Sequence, residues 1–412
     1  MNRACLILVT LAAVVPTIEA AVRVAGPEAG FAAVTSGPAA ASWNPAHLAY
    51  FPDPRLELLG LSGGFGNSSF SMRDYGRYNG STWDQGDKDE ILAAIDGDGL
   101  RFRGTARAGA MGFSLPGFAF STGTRAASSA AIPKPAIDLL LNGNTVGETF
   151  SLEGAEGEAI AFTEFRLSYA RRIEDLVPAL AERMVGWCVG ASAKLYQGWA
   201  YGELLEATGG VTTTTDVITG GGQLVSVTAM GGRGYGLDLG LVGPLGADWT
   251  GSFSIRDLFG SIDWTSEAEE RIDTFEVLDV SLGEGTEEVV VSESVTRPLD
   301  SHRTDLPVAY AVGVAHHGDR LLTAGTLEVA TAERAGGFPT PRAALAAGWA
   351  LSGRFALRGT ASLGGPESAG VGVGAGFALG PVQLDLGIST WGSLNPFGSK
   401  GVYLVSGLGV GL

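Results

Sequence analysis

The chain has 412 residues, a formal net charge of −17 and 63 glycines, with a mean hydropathy of +0.20. Such acidity excludes a nucleic-acid partner, which demands a basic face, and suits a loop-rich exterior that stays soluble and attracts divalent cations. Positive hydropathy with no apolar run of about 18 residues after the N-terminus excludes spanning helices and leaves apolar residues spread over many alternating strands, as in a β-barrel.

In chain order, Met1–Ala20 reads as a secretory signal peptide. Arg3 supplies the positive start, Cys5–Val15 the apolar run, and Ile18-Glu19-Ala20 ends on a small residue suited to cleavage before Ala21. The run is well short of the roughly 20 residues that an anchor needs. Once the signal is removed Cys188 is the one remaining cysteine, so no intramolecular disulfide framework is expected. Ala21–Pro52 is rich in Ala, Gly and Pro, with helix-compatible pieces broken at Pro38, Pro45, Pro52 and Pro54. We read residues 21–52 as a plug or hatch and residues 53–412 as the barrel.

The centre of the plug runs Gly37-Pro38-Ala39-Ala40-Ala41-Ser42-Trp43-Asn44-Pro45-Ala46-His47-Leu48-Ala49. It resembles the N-terminal signature of the FadL-type long-chain fatty-acid transporters and their PorV-like relatives: an Ala/Ser-rich run, an aromatic, then Asn-Pro-Ala-Gly-Leu-Ala before the first strand. Trp43, Asn44, Pro45, Ala46, Leu48 and Ala49 match, and His47 replaces the usual glycine, so a glycine's backbone freedom is not carried over there. The resemblance makes Trp43, Asn44, Pro45 and His47 the candidate ligand-binding residues.

Further segments resemble an uncharacterised outer-membrane family, a domain of unknown function grouped with the PorV-like barrels. They are Leu59–Ser71, Asp74-Tyr75 with Tyr78-Asn79-Gly80, Gly97–Leu100, Phe120–Ala126 and Gly236–Gly240, a likeness spanning Ser36 to Trp264. The resemblance implies a barrel and supplies no catalytic residue.

The first strand is expected at Leu56–Phe65, followed by a loop helix at Asp84–Ile95 and strands at Leu100–Phe113 and Gly117–Thr124. Pro135–Leu141 reads as a helical turn or two, and Phe150–Leu152 and Ala159–Arg171 as strands around an acidic turn. Asp175–Met184 reads as the best helix of the chain, capped by Asp175, with Leu176, Leu180 and Met184 on one face. From Val185 strands are expected at Val185–Tyr196, Ala200–Thr215, Gln223–Ala229, Gly234–Val242 and Trp249–Leu258. Others follow at Phe275–Leu282, Glu287–Val295, Pro307–His316, Leu321–Ala330, Arg342–Leu351 and Arg354–Leu363, with three more at the C-terminal end.

Acidic Glu267–Arg303 reads as a long extracellular loop or protruding hairpin. The final segments alternate most clearly. After Pro381, Val382, Leu384, Leu386 and Ile388 share one face, and Gln383, Asp385, Gly387 and Ser389 the other. Segments of about ten residues with one apolar face match strands that are lipid-facing outside and lumen-facing inside. Asp238, Gln383 and Asp385 are thereby the candidate lumen-facing polar residues. The expected fold is all-β: a transmembrane antiparallel barrel of about 14 strands, roughly 12 to 16 allowed, with an N-terminal plug.

Catalytic signatures are weak. Gly60-Leu61-Ser62-Gly63-Gly64 matches the nucleophile-elbow string, but it lies in strand sequence with no helix directly after it. His316-His317 are adjacent on a strand and so point to opposite faces, a poor chelate. Asp96-Gly97-Asp98-Gly99 lacks the spacing and closing glutamate of a calcium loop. No catalytic residue, metal site or cofactor is expected. Two functions follow from the resemblances for this outer-membrane protein. One is passive passage of a hydrophobic small molecule, through an apolar pocket between plug and wall and a lateral opening. The other, PorV-like, is binding of a secreted protein through the extracellular loops.

Overall fold

The computed structural model describes residues 29–281 and 290–412. The signal segment Met1–Ala20, the first residues of the expected plug and the centre of the acidic loop lie outside the described residues. The strands in chain order begin with β1 (Arg55–Asn67), β2 (Leu100–Leu115), β3 (Phe118–Ile132), β4 (Thr149–Ser151), β5 (Glu156–Arg172) and β6 (Cys188–Thr213). Next come β7 (Val217–Pro244), β8 (Trp249–Ser281), β9 (Val290–Pro298), β10 (His302–Asp305), β11 (Ala309–His317) and β12 (Leu321–Ala330). The last are β13 (Arg342–Ser352), β14 (Phe355–Gly364), β15 (Ala369–Leu379), β16 (Val382–Trp391) and β17 (Gly401–Gly411).

Fourteen of these close into one antiparallel wall. β3 pairs directly with β5, β8 pairs directly with β11, and β17 returns to β1 with Arg55 opposite Gly411 and Gly66 opposite Gly401. The other three add to the wall's upper reaches: β4 on β6, and β9 and β10 on β8. Closure leaves no unpaired edge in the wall, which is what lets strands cross a bilayer.

One end of the barrel carries tight turns. Gly117 there has φ +76°, and a side chain on it would run into the carbonyl of Ala170, so glycine is required. The N–H of Leu412 donates to the Pro54 carbonyl (3.0 Å) at the same end. The opposite end carries the long loops, with helices α3 (Met72–Tyr78), α4 (Gln85–Ala94) and α5 (Lys134–Asn142). Asp84 caps α4 through a reciprocal pair with Asp87.

The wall is turned inside out relative to a soluble protein. On β5, Glu164, Arg166 and Ser168 are buried inside while Phe165, Leu167 and Tyr169 are exposed outside. Inside the barrel lies the N-terminal segment: a 3-10 turn at Ala29–Val34, α1 (Gly37–Trp43) and α2 (His47–Tyr50). Pro38 in the first turn of α1 sacrifices no hydrogen bond. Phe31 and Val34 pack on inward alanines including Ala315, Ala346 and Ala356, and Ala40, Ala41 and Leu48 pack on Ala119 and Ala170. Small wall residues make room for the helices. A side chain at Gly190 would come within 2.6 Å of the Pro45 and Ala46 backbone.

Two expectations change. The separate strands expected from Val185 to Leu258 are continuous in β6, β7 and β8, which run 26, 28 and 33 residues. Glycines such as Gly198 and Gly231 punctuate the sequence there, but paired neighbours on both sides carry the ladder across them. Of the two forms expected for Glu267–Arg303, loop or protruding hairpin, the described residues take the second: β8 pairs with β9 from Glu269 opposite Pro298 to Val277 opposite Val290. The expected helix at Asp175–Met184 is only a turn, α6 (Ile173–Leu176), followed by a 3-10 turn at Pro178–Leu180. Pro178 has no N–H to donate, and it disfavours helix at Val177, which is non-helical (φ −131°, ψ 85°).

Candidate functional site

Asn44 ties the N-terminal segment to the wall. Its Nδ2 donates to the carbonyls of Leu241 (3.1 Å) and Phe253 (3.2 Å), and its Oδ1 accepts from the Ala46 N–H (3.0 Å). His47 is fully buried, with Nδ1 3.2 Å from Thr35 Oγ1 and its ring 5.4 Å from that of Phe51. Pro45 sits against Gly190. Of the four plug candidates Trp43 alone lines the central cavity, beneath the Arg256 guanidinium at 4.8 Å, whereas Asn44, Pro45 and His47 face the wall or the segment itself.

That cavity, about 350 Å³, lies between α1 and the wall. Its floor is an ion network. Lys194 Nζ lies 2.6 Å from Asp238 and contacts Asp257, and Arg166 contacts Glu164 and lies 3.7 Å from Asp238. Arg125 bridges Glu164 (3.6 Å) and Asp257 (3.4 Å), and the Tyr196 hydroxyl donates to Asp257 (2.7 Å). Arg166 also donates to the Ser42 hydroxyl, joining the network to α1. Charges this deeply buried are tolerable only when paired and hydrogen-bonded.

Asp257 reaches the network through the backbone. Asp257 and Phe259 have φ of 57° and 56°, uncommon for non-glycine residues, and the β7–β8 register shifts twice between Tyr235 and Leu239. Strict alternation would send Arg256 and Asp257 to opposite faces; here both are buried inside. The Asp257 N–H then donates to Asp238 Oδ1 (2.8 Å).

Across the cavity Arg256 contacts Glu328, which also binds Arg342 (2.7 Å), and Arg342 reaches Glu367 (3.0 Å). Asp385 contacts Arg358, and Gln383 is buried on the same inward face. All three polar candidates, Asp238, Gln383 and Asp385, therefore line this cavity. Apolar groups are interspersed, among them Trp43, Phe162, Leu306 and Phe338. The expected apolar pocket is thus corrected to one of mixed character. Its inward positions carry the wall's charges, while outward ones such as Phe165 and Leu167 are apolar and exposed.

A lid covers the cavity at the long-loop end. The β12–β13 loop, residues 331–341, folds back across the mouth. Arg334 binds Glu203 (2.7 Å) and Glu158 (3.7 Å), the Ala335 N–H donates to Glu158 (3.0 Å), and Glu333 contacts Arg103. Ala335 is buried against Ile160, Phe162 and Tyr201. Burial alone would lower the pKa of Arg334, but Glu203 and Glu158 outweigh it and hold the guanidinium above its ordinary value.

Ser62, in the Gly60–Gly64 string, lies within β1 with no strand-to-helix turn to expose it. Sequence reasoning missed Glu164, Arg166 and Lys194, although a signal was present: Phe165-Arg166-Leu167-Ser168-Tyr169 alternates as plainly as the C-terminal strands.

Residues 50–229 and 221–388 match the model of a family of unknown function, DUF5723. No curated protein sequence matches the chain. Among solved structures it is similar to the P. putida toluene transporter TodX, with 12% identity and a TM-score of 0.54, over 95% of this chain and 99% of that one. It is also similar to a Pseudomonas aeruginosa FadL homologue, with 12% identity and a TM-score of 0.51, over 93% of this chain and 96% of that one. At such identities these likenesses establish the fold, a FadL-type barrel.

Proposed function

The chain belongs to the DUF5723 family of unknown function, and on that premise we propose that it is an outer-membrane channel for passive passage of a small molecule with a hydrophobic body. Met1–Ala20 would direct its export and residues 21–52 would act as the plug. The observation that carries this reading is the cavity enclosed between α1, the wall and the β12–β13 lid, inside a barrel of the transporter type. Trp43, Phe162, Leu306 and Phe338 would take the apolar body while the charged lining takes a polar end. The role is non-enzymatic: binding and release suffice, and Asp238, Gln383 and Asp385 shape the path.

The test is chemical. Protein purified from its own outer membrane in mild detergent, then extracted for mass spectrometry, should yield a stoichiometric small molecule that is lost when residues 29–52 are deleted. A stoichiometric secreted or surface protein, with no small molecule, would overturn the reading in favour of the PorV-like one. The projecting parts of β6–β9 would then be the docking surface.

A further inference from the structure

The cavity lining holds acidic and basic side chains in a nearly complete pairing scheme. Arg125, Arg166, Lys194, Arg256 and Arg342 each lie within salt-bridge distance of a carboxylate. Arg55, at the edge of the lining, is held by Asp53 (2.8 Å). Among the described residues one lining cation and one lining carboxylate stand outside the scheme: Arg107 on β2 and Glu57 on β1.

Their placement is specific. Arg107 sits directly opposite Arg125 across the β2–β3 ladder and opposite Ser62 on β1. Like charges facing each other on neighbouring strands repel. Arg125 is neutralised by Glu164 and Asp257, which leaves the surplus positive charge at Arg107. The Glu57 carboxylate rests over the bare backbone of Gly60 and Gly109, where a side chain at Gly109 would lie 3.2 Å from Glu57 Oε1. Gly109 is two residues beyond Arg107 on the same face of β2, about 6.6 Å along the strand. A guanidinium and a carboxyl group that are in no salt bridge therefore line one stretch of wall, out of contact with each other.

We propose that Arg107 and Glu57 form a two-point subsite for a zwitterion, with Arg107 taking a carboxylate and Glu57 an ammonium, so that the class of ligand is an α-amino acid or a short peptide with an apolar side chain. The proposal rests on the channel reading for its physiological meaning. Each ligand charge restores a pairing that the wall leaves open, and charge-assisted hydrogen bonds of this kind are the strong ones. A purely apolar ligand leaves both wall charges desolvated without compensation.

The experiment uses the full chain in detergent, titrated calorimetrically with three probes that share one aromatic body: L-phenylalanine, phenylacetate and phenethylamine. Wild type should prefer phenylalanine to either single-charge probe by about tenfold or more. Arg107→Gln should abolish its advantage over phenethylamine but keep that over phenylacetate, and Glu57→Gln should do the reverse. Migration on unboiled gels confirms that each variant is folded. Equal affinity for the three probes, or variants that leave the order unchanged, overturns the subsite. Flux in proteoliposomes tests the channel separately. Selective binding without flux sinks the channel and keeps the subsite, and flux with no zwitterion preference does the opposite.

Discussion

At the scale of single residues, Asp238 and Asp257 show what a sequence reveals and what it hides. Asp238 stands in the alternating run Tyr235–Leu241, and period-two logic places it inside. Asp257 is one step out of phase with Arg256, and only the left-handed backbone at Asp257 and Phe259 turns it inward. No local pattern announces that. The two carboxylates share Lys194, so removing Asp238 leaves the ammonium to Asp257 and Arg166 to Glu164, and takes the acceptor from the Asp257 N–H. Asp238→Ala is expected to cost about 2–3 kcal/mol, read as a lower temperature for loss of the fast-migrating folded band. The double variant Asp238→Leu/Lys194→Met should recover much of that loss, since replacing a buried pair by apolar groups of similar volume is often neutral. A double variant as unstable as the single one would show that the pair contributes in its own right.

At the scale of elements, segment type was readable where alternation is strict, as in β15–β17, and boundaries were not. β6, β7 and β8 looked like separate pieces because glycine interrupts their sequence, and long-range pairing overrides that local signal. A 33-residue strand is roughly 110 Å long, far beyond the roughly 30 Å hydrocarbon core, so these strands project as a sheet. The β12–β13 loop could not be foreseen as a lid, because its partners Glu158, Glu203 and Arg103 lie far away in sequence. Arg334→Gln should loosen it and raise single-channel conductance in planar bilayers. Joining the loop to the wall through Cys introduced at positions 334 and 203 and a bifunctional thiol crosslinker with a cleavable internal disulfide should lower conductance until a reductant is added. If neither change moves the conductance, the loop is not on the path.

At the scale of the molecule, the barrel, its strand number and a helical N-terminal segment inside it followed from alternation, composition and the Trp43–Ala49 signature. The mixed lining of the cavity did not, because it depends on which inward charges meet across the lumen. β1 meets β17 at the seam that closes the barrel. Every other junction in the wall joins strands that are sequence neighbours or, at β3–β5 and β8–β11, have only the added strands β4 or β9 and β10 between them, whereas this one joins the two ends of the barrel sequence. It cannot form until β17 has emerged from synthesis, and until then β1 and the newest strand both present unpaired backbone. Such late, non-local pairing is slow and exposed to aggregation. A chain lacking residues 401–412 should therefore never acquire heat-modifiable migration and should accumulate as aggregate, and a monomeric, heat-modifiable truncation would contradict this. The seam makes closure all-or-none: until β17 docks on β1, two strand edges stay unpaired.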